Sequence, residues 1–196
     1  MTRADSLHWR RYRALYLLLA VCIAPVVASY LAYYVLPPEG RTNYGELVSP
    51  QRPLPAIRLA RLDGTPFELQ SLRGRWLLVT IDASECADAC QRKLWKLRQV
   101  RLTTGRDRDR VERLFLITDT APLQTMLLRE YDGTIFLRAD AAELRSLFDP
   151  TTPADLAAGL WIIDPLGNLM LRWPPDADPN RMKRDLGKLL RASRVG

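Results

Sequence analysis

Hydrophobic positions fall into two regimes along this chain. Ala14 to Leu36 is one apolar run of 23 residues without a charge. At 1.5 Å per residue it outreaches a hydrocarbon core of roughly 30 Å, which predicts a membrane-spanning helix. Beyond it, apolar residues come in short groups separated by Gly, Pro and charge. Trp76 to Ile81 is such a group, rich in Leu and β-branched residues and preceded by Gly74; it reads as a strand buried on both faces. From Leu94 the apolar positions fall at Leu94, Leu97 and Leu102 among Lys and Arg, the pattern of an amphipathic helix.

The same reading carries through the rest of the chain. Ile57–Leu62, Asp63-Gly64 and Pro66–Leu69 predict a hairpin with its turn at the Asp-Gly pair. Arg113–Thr118 is a second buried strand. Pro122 predicts a helix start, with Leu123, Met126, Leu127 and Tyr131 at helical spacing. A short strand over Thr134–Leu137 follows, then a helix over Ala141–Phe148 stopped by Asp149-Pro150. Leu160 to Trp173 holds two apolar runs around Asp164-Pro165-Leu166-Gly167, a type I turn pattern. Asp178-Pro179 caps a last helix whose apolar face is Met182, Leu186, Leu189 and Leu190. Trp161 and Trp173 flank the late hairpin and are expected to pack in it.

Hairpin, strand, helix, strand, helix, short strand, helix, hairpin and terminal helix make an α/β order. The expected architecture is thioredoxin-like, with an N-terminal hairpin extension and a single transmembrane helix before it. The expected boundaries are a cytoplasmic stub at 1–13, an anchor at 14–36, a Pro-rich spacer at 37–55 and the thioredoxin-like domain at 56–196.

Composition changes this picture little. At 47% hydrophobic and 26% charged, the chain is that of a globular protein with an anchor. The net charge of +7 suits an anionic membrane surface or an acidic partner. Basic residues alternate with acids and no nucleic-acid motif accompanies them, so nucleic acid is not an expected partner. Arg3, Arg10, Arg11 and Arg13 before the span place the N-terminus in the cytoplasm and the domain in the periplasm, on a bacterial inner membrane. The run is longer than a cleaved signal peptide's core and lacks a clean cleavage site. That topology leaves His8, the single histidine, on the far side of the membrane from the domain. Cys22 lies in the span, where it serves as a small apolar residue.

The chemistry gathers at Ser84-Glu-Cys86-Ala-Asp88-Ala-Cys90-Gln91, where the buried strand hands over to a helix. Such junctions carry ligands and catalysis in α/β proteins. With both cysteines in the first helical turn, their Cα atoms would lie about 6 Å apart, within disulfide reach. The pair can be a dithiol, a disulfide, two soft metal ligands on one face, or an inert staple. A helix N-terminus would favour the thiolate at Cys86. Asp88 reads as a helix-start carboxylate, and Met126, Met170 and Met182, at apolar-periodic positions, as core.

The C-x-x-x-C motif after an apolar strand, with Asp164-Pro165-x-Gly167 far downstream, resembles the SCO family. Asp63-Gly64, Phe67, Leu69, Leu72 and Gly74 are similar to that family's lead-in, and Asp119-Thr120-Ala121-Pro122 to a later segment. These are membrane-anchored thioredoxin-fold proteins that help assemble the copper centre of cytochrome c oxidase. The resemblance implies copper at Cys86 and Cys90 as a cofactor, and the copper-bearing oxidase subunit or another assembly factor as partner. Both prolines of the motif are replaced by Ala87 and Gln91. The histidine that completes the family's copper site falls at Leu156, so Cu(II) would be poorly served while two thiolates could still hold Cu(I). The expected function is oxidase copper-centre assembly by thiol–disulfide exchange, Cys86 attacking and Cys90 resolving, which would be a thiol–disulfide oxidoreductase activity. The alternatives are a Cu(I) chaperone using the two cysteines alone, a non-catalytic tethered interaction module, and a peroxidase.

Overall fold

The computed structural model describes residues 3–34, 43–53, 55, 57–148 and 153–193. The chain divides into two units between Thr42 and Asn43. The first is the helix α1, Arg3–Tyr34. Within it Tyr12–Ala32 is long and apolar enough to cross a membrane, 21 residues with mean hydropathy 2.3. Its apolar side chains, from Leu15 to Leu31, are exposed, a surface that only lipid or another apolar partner can cover. Pro25 lies inside it, and the rings of Tyr30 and Tyr34 meet at 4.5 Å near its end.

The second unit is built on one eight-stranded sheet: β1 Glu46–Pro53, β2 Leu59–Arg61, β3 Pro66–Phe67, β4 Trp76–Asp82, β5 Val111–Ile117, β6 Thr134–Ala139, β7 Leu160–Ile163 and β8 Asn168–Trp173. The spatial order is β1-β8-β7-β4-β5-β6-β2-β3. The pairs β4–β5 and β5–β6 are parallel, whereas β7 runs antiparallel to both β4 and β8. Helices α2 Asp88–Leu102, α3 Thr125–Glu130, α4 Ala141–Phe148, α5 Pro153–Ala158 and α6 Pro179–Ala192 complete it. The order β4–α2–β5, then β7–β8–α6, is the expected thioredoxin-like frame.

Alternation along β4 explains the two-sided core. Leu77, Val79 and Ile81 point to one face, with Leu144, Leu147 and Phe148 of α4 and Leu156 of α5 packed there. Trp76 and Leu78 point to the other, under Leu97 and Val100 of α2 and Met182, Leu186 and Leu189 of α6. A strand with period-two side chains and apolar residues on both of its faces can only be satisfied by cover on both sides. Trp161 and Trp173 lie in opposite cores, both buried.

The late hairpin forms as read. Gly167 N donates to Asp164 O at 2.9 Å, with Gly167 at φ 91°. A register shift opposite Ile162 and Ile163 leaves Leu169 and Leu171 in different cores, as a bulge that inserts one residue requires. Asp178 caps α6 by accepting from Asn180 N at 2.9 Å.

Several expectations are corrected. Part of the stretch read as a spacer, Glu46–Pro53, is an edge strand paired with β8; residues 37–42 lie outside those described, as does the Asp149-Pro150 stop. Tyr44 N and Gly45 N donate to the buried Asp185 carboxylate at 3.0 and 2.8 Å, and Trp173 Nε1 does so at 3.0 Å. Three donors on one carboxylate fasten this segment to α6, and no local pattern foretells so distant a tie. Helix α3 starts at Thr125 rather than Pro122. Leu102 and Met126 are exposed, at 46% and 69%, because each sits at a helix end or on a short helix where only one face meets the sheet.

Candidate functional site

The cysteines occupy the turn from β4 into α2. Cys90 lies in the first turn of α2, but Cys86 precedes the cap residue Ala87, so the expectation of two helical cysteines is corrected. Cys86 has φ 40°, in the left-handed region that a side chain disfavours by about 1–2 kcal/mol. That backbone reversal brings the two Cα atoms to 5.0 Å, and the sulfurs are joined in a disulfide. Such strain persists only where the surroundings enforce it. Here Cys86 N donates to Ala83 O at 3.2 Å, Ser84 N donates to Asp119 Oδ2 at 3.0 Å, and Gln91 Nε2 donates to Cys86 O at 3.1 Å. Asp88 stands in the first turn of α2, as a helix-start carboxylate does.

Both cysteines are 2% exposed. They share an apolar cluster with Leu94, Phe115, Ile117, Leu127 and Tyr131, against which Leu123 and Phe136 also pack. The covering residues Leu127 and Tyr131 come from α3 and its C-terminal cap, and Tyr131 OH donates to Gln91 O at 3.1 Å. Burial, with a smaller contribution from Glu130, holds the Tyr131 phenol above its ordinary range, so it stays a donor. Burial would push the Asp119 carboxyl up, but the hydrogen bonds from Ser84 and Ala121 and the nearby Arg138 outweigh it and hold it below its ordinary value.

Beside the pair lies a residue that sequence reasoning missed. Lys93, one turn after Cys90, is 4% exposed. Its Nζ donates to Asp82 Oδ2 at 2.7 Å, to Ile81 O at 3.2 Å and to Ala157 O. A buried ammonium is tolerated when a carboxylate and carbonyls replace its water shell. The signal was legible: Cys90, Lys93, Leu94 and Leu97 form one i, i+3, i+4, i+7 stripe, and a lysine on a buried stripe needs a partner.

Residues 76–193, from the central strand into the end of α6, match the family described as transmembrane-like, thioredoxin-like, C-terminal domain. The chain belongs to this family. A Stutzerimonas stutzeri protein provisionally named a copper-binding protein is 25% identical over 138 residues, 65% of this chain and 68% of that one. Among solved structures, apo Sco1 of Thermus thermophilus is similar at 19% identity and TM-score 0.59, over 77% of this chain and 96% of that one. Copper-bound yeast Sco1 gives 18% identity and TM-score 0.57, over 79% and 96%. Copper-bound ScoI of Bradyrhizobium japonicum gives 20% and 0.52, over 70% and 99%. These likenesses establish the shared fold, as the resemblance to the SCO family implied.

The residues present do not complete a copper site of the implied kind. Leu156, where the resemblance places the histidine, is buried in the apolar core at 4% exposure. Its neighbour Ala157 gives its carbonyl to Lys93, so this segment faces a fixed cation. Among the described residues no three His, Cys, Asp or Glu side chains converge. Of the methionines, Met182 is buried and Met170 packs against the same core, whereas Met126 is exposed.

Proposed function

We propose that this protein is a membrane-anchored thiol–disulfide exchanger of the thioredoxin-like fold, serving the copper-centre cysteines of cytochrome c oxidase. The observation that carries the reading is the Cys86–Cys90 pair at a strand-to-helix junction, where among the described residues no third His, Cys, Asp or Glu converges. In the reduced protein, the Cys86 thiolate attacks one sulfur of a partner disulfide. A bond forms between Cys86 and that sulfur, and the partner's other sulfur leaves as a thiolate. Cys90, deprotonated in turn, attacks the Cys86 sulfur and releases the partner's second thiolate. Two electrons pass to the partner, and the Cys86–Cys90 bond closes. Leu127 and Tyr131 must move aside for the partner's sulfur to reach Cys86, so the exchange is gated by their cover. The Arg-rich stub before the apolar helix sets the N-terminus in the cytoplasm and the domain in the periplasm, the compartment where such exchange operates.

The test is trapping with full-length protein carrying Cys90→Ser, which leaves Cys86 unresolved. A mixed disulfide to the copper-bearing oxidase subunit is expected, absent in Cys86→Ser. Unimpaired oxidase assembly in both variants would overturn the reading in favour of a tethered interaction module.

The naming of one relative as copper-binding favours a second reading, in which Cys86 and Cys90 together carry Cu(I) as cargo. Titration of the reduced full chain with Cu(I) against a competing chelator decides it: one tight equivalent, lost in both Ser variants, supports it, and none rejects it.

A further inference from the structure

Away from the sulfurs, toward the C-terminal end of α2, five guanidinium groups converge. Arg98, Arg101, Arg108, Arg113 and Arg129 line a pocket of about 220 Å³. Glu130 and Asp132 complete its charged lining, leaving an excess of three positive charges. The geometry points to a binding pocket for a phosphate-class oxyanion, a free phosphate or a phosphate monoester headgroup.

Arg113 is the central observation. It lies on β5, on the α2 face, between Val111 and Phe115, and is 5% exposed. Its Nη2 donates to Asp132 O at 2.5 Å, whereas Nε and Nη1 are buried with no partner. Its register partner on β6, Thr134, also has a buried hydroxyl without one. A buried guanidinium with two unmet donors is costly unless an acceptor arrives from outside, and an oxyanion offers several acceptors at once. Asp132, in the pocket lining, accepts at Oδ1 from Gly133 N at 2.9 Å. Glu112 is engaged by Arg75 at 2.7 Å and by Arg101 at 3.8 Å. Arg98 is held over the pocket by donating to Glu130 O at 3.1 Å, and Arg101 by donating to Val111 O at 2.5 Å. Burial and then the charges of Arg101 and Arg98 push Arg113 down to about 10, still charged at neutral pH; an anion among these groups relieves that repulsion. The pocket is smaller than the roughly 300–1,000 Å³ that engulfs drug-sized ligands, which suits one phosphate and not a nucleotide.

The test is calorimetric titration of the full-length protein in nonionic detergent with inorganic phosphate at constant ionic strength. Saturable one-to-one binding is expected, weakened roughly tenfold by Arg98→Gln or by Arg129→Gln, as loss of a charge-assisted contact implies. These two side chains are exposed, so both variants should fold; Arg113→Met should abolish binding, with circular dichroism checking its fold. Repeating the titration in phosphatidylcholine nanodiscs, with and without phosphatidic acid, separates the sources. Equal phosphate affinity in both supports a free oxyanion; loss of phosphate binding only with phosphatidic acid supports a headgroup. Absence of saturable binding, or equal binding by wild type and both Gln variants, overturns the proposal.

Discussion

Two buried cations lie on the α2 side of the same parallel strands and are treated in opposite ways. Lys93, beside the end of β4 that leads to the cysteines, is paired with the Asp82 carboxylate and two backbone carbonyls. Arg113, opposite Leu78 four register positions away, has two donors unmet and only arginines and engaged or exposed acids around it. The first arrangement is closed: it ties the cysteine helix to β4 and α5 and leaves that region nothing to gain from a ligand. The second is open, because its electrostatic account balances only when an anion joins. Burial alone therefore does not mark a functional charge; the state of its partners does.

The largest effect that would sharpen this contrast comes from Asp82→Ala. It strands the Lys93 ammonium, and urea unfolding of the full chain should show a loss of about 3 kcal/mol. A loss below about 1 kcal/mol would break the comparison on the closed side. Next is Leu127→Ala, which thins the cover over the sulfurs. About 2–3 kcal/mol of stability should go, and reduction of the Cys86–Cys90 bond by a bulky thiol should quicken, followed by alkylation and mass shift. Unchanged reduction would mean that α3 does not gate access. Arg113→Met comes third: with no anion present its stability should fall within about 1 kcal/mol of wild type, since the donor lost by the Asp132 carbonyl is offset by removal of a buried charge with two unmet donors. In phosphate the wild type alone should gain melting temperature.

The smallest effect is that of acid on Asp119. Its pKa is depressed in the folded protein, so its contribution is present above the ordinary value and fades as pH falls through the lower folded one. With the side chain 37% exposed, solvent screening keeps the loss under about 1 kcal/mol. It should be read with a phosphine reductant, as a wild-type reduction rate that approaches the rate of Asp119→Asn at the same pH as the pH falls, because the carboxylate holds Ser84 N and hence the turn that carries Cys86.

Much of this frame was legible before any coordinates. Helix Ala141–Phe148, a strand over Trp76–Ile81 and the turn at Asp164–Gly167 follow from periodicity, Gly and Pro placement, and those are properties of neighbouring residues. The cysteine pair was legible for the same reason, as a spacing of four after an apolar strand. Two buried cations left a local trace that apolar counting passes over. Lys93 interrupts the stripe of α2, and Arg113 occupies an inward position between Val111 and Phe115. Asp185 does the same on the apolar face of α6, beside Met182 and Leu186.

What the chain determines by itself is thus the anchor, the order of elements and the identity of the two sulfurs, because a membrane-length apolar run, side-chain period and turn chemistry act over a few residues. Only the tertiary structure decided that Glu46–Pro53 joins the sheet, that Cys86 stands outside the helix at φ 40°, and that the sulfurs are sealed from solvent. It likewise decided that one buried cation is paired and the other is not. Those outcomes depend on groups tens of residues apart meeting in a low-dielectric interior, where the energy of a charge is set by whichever partners packing brings to it.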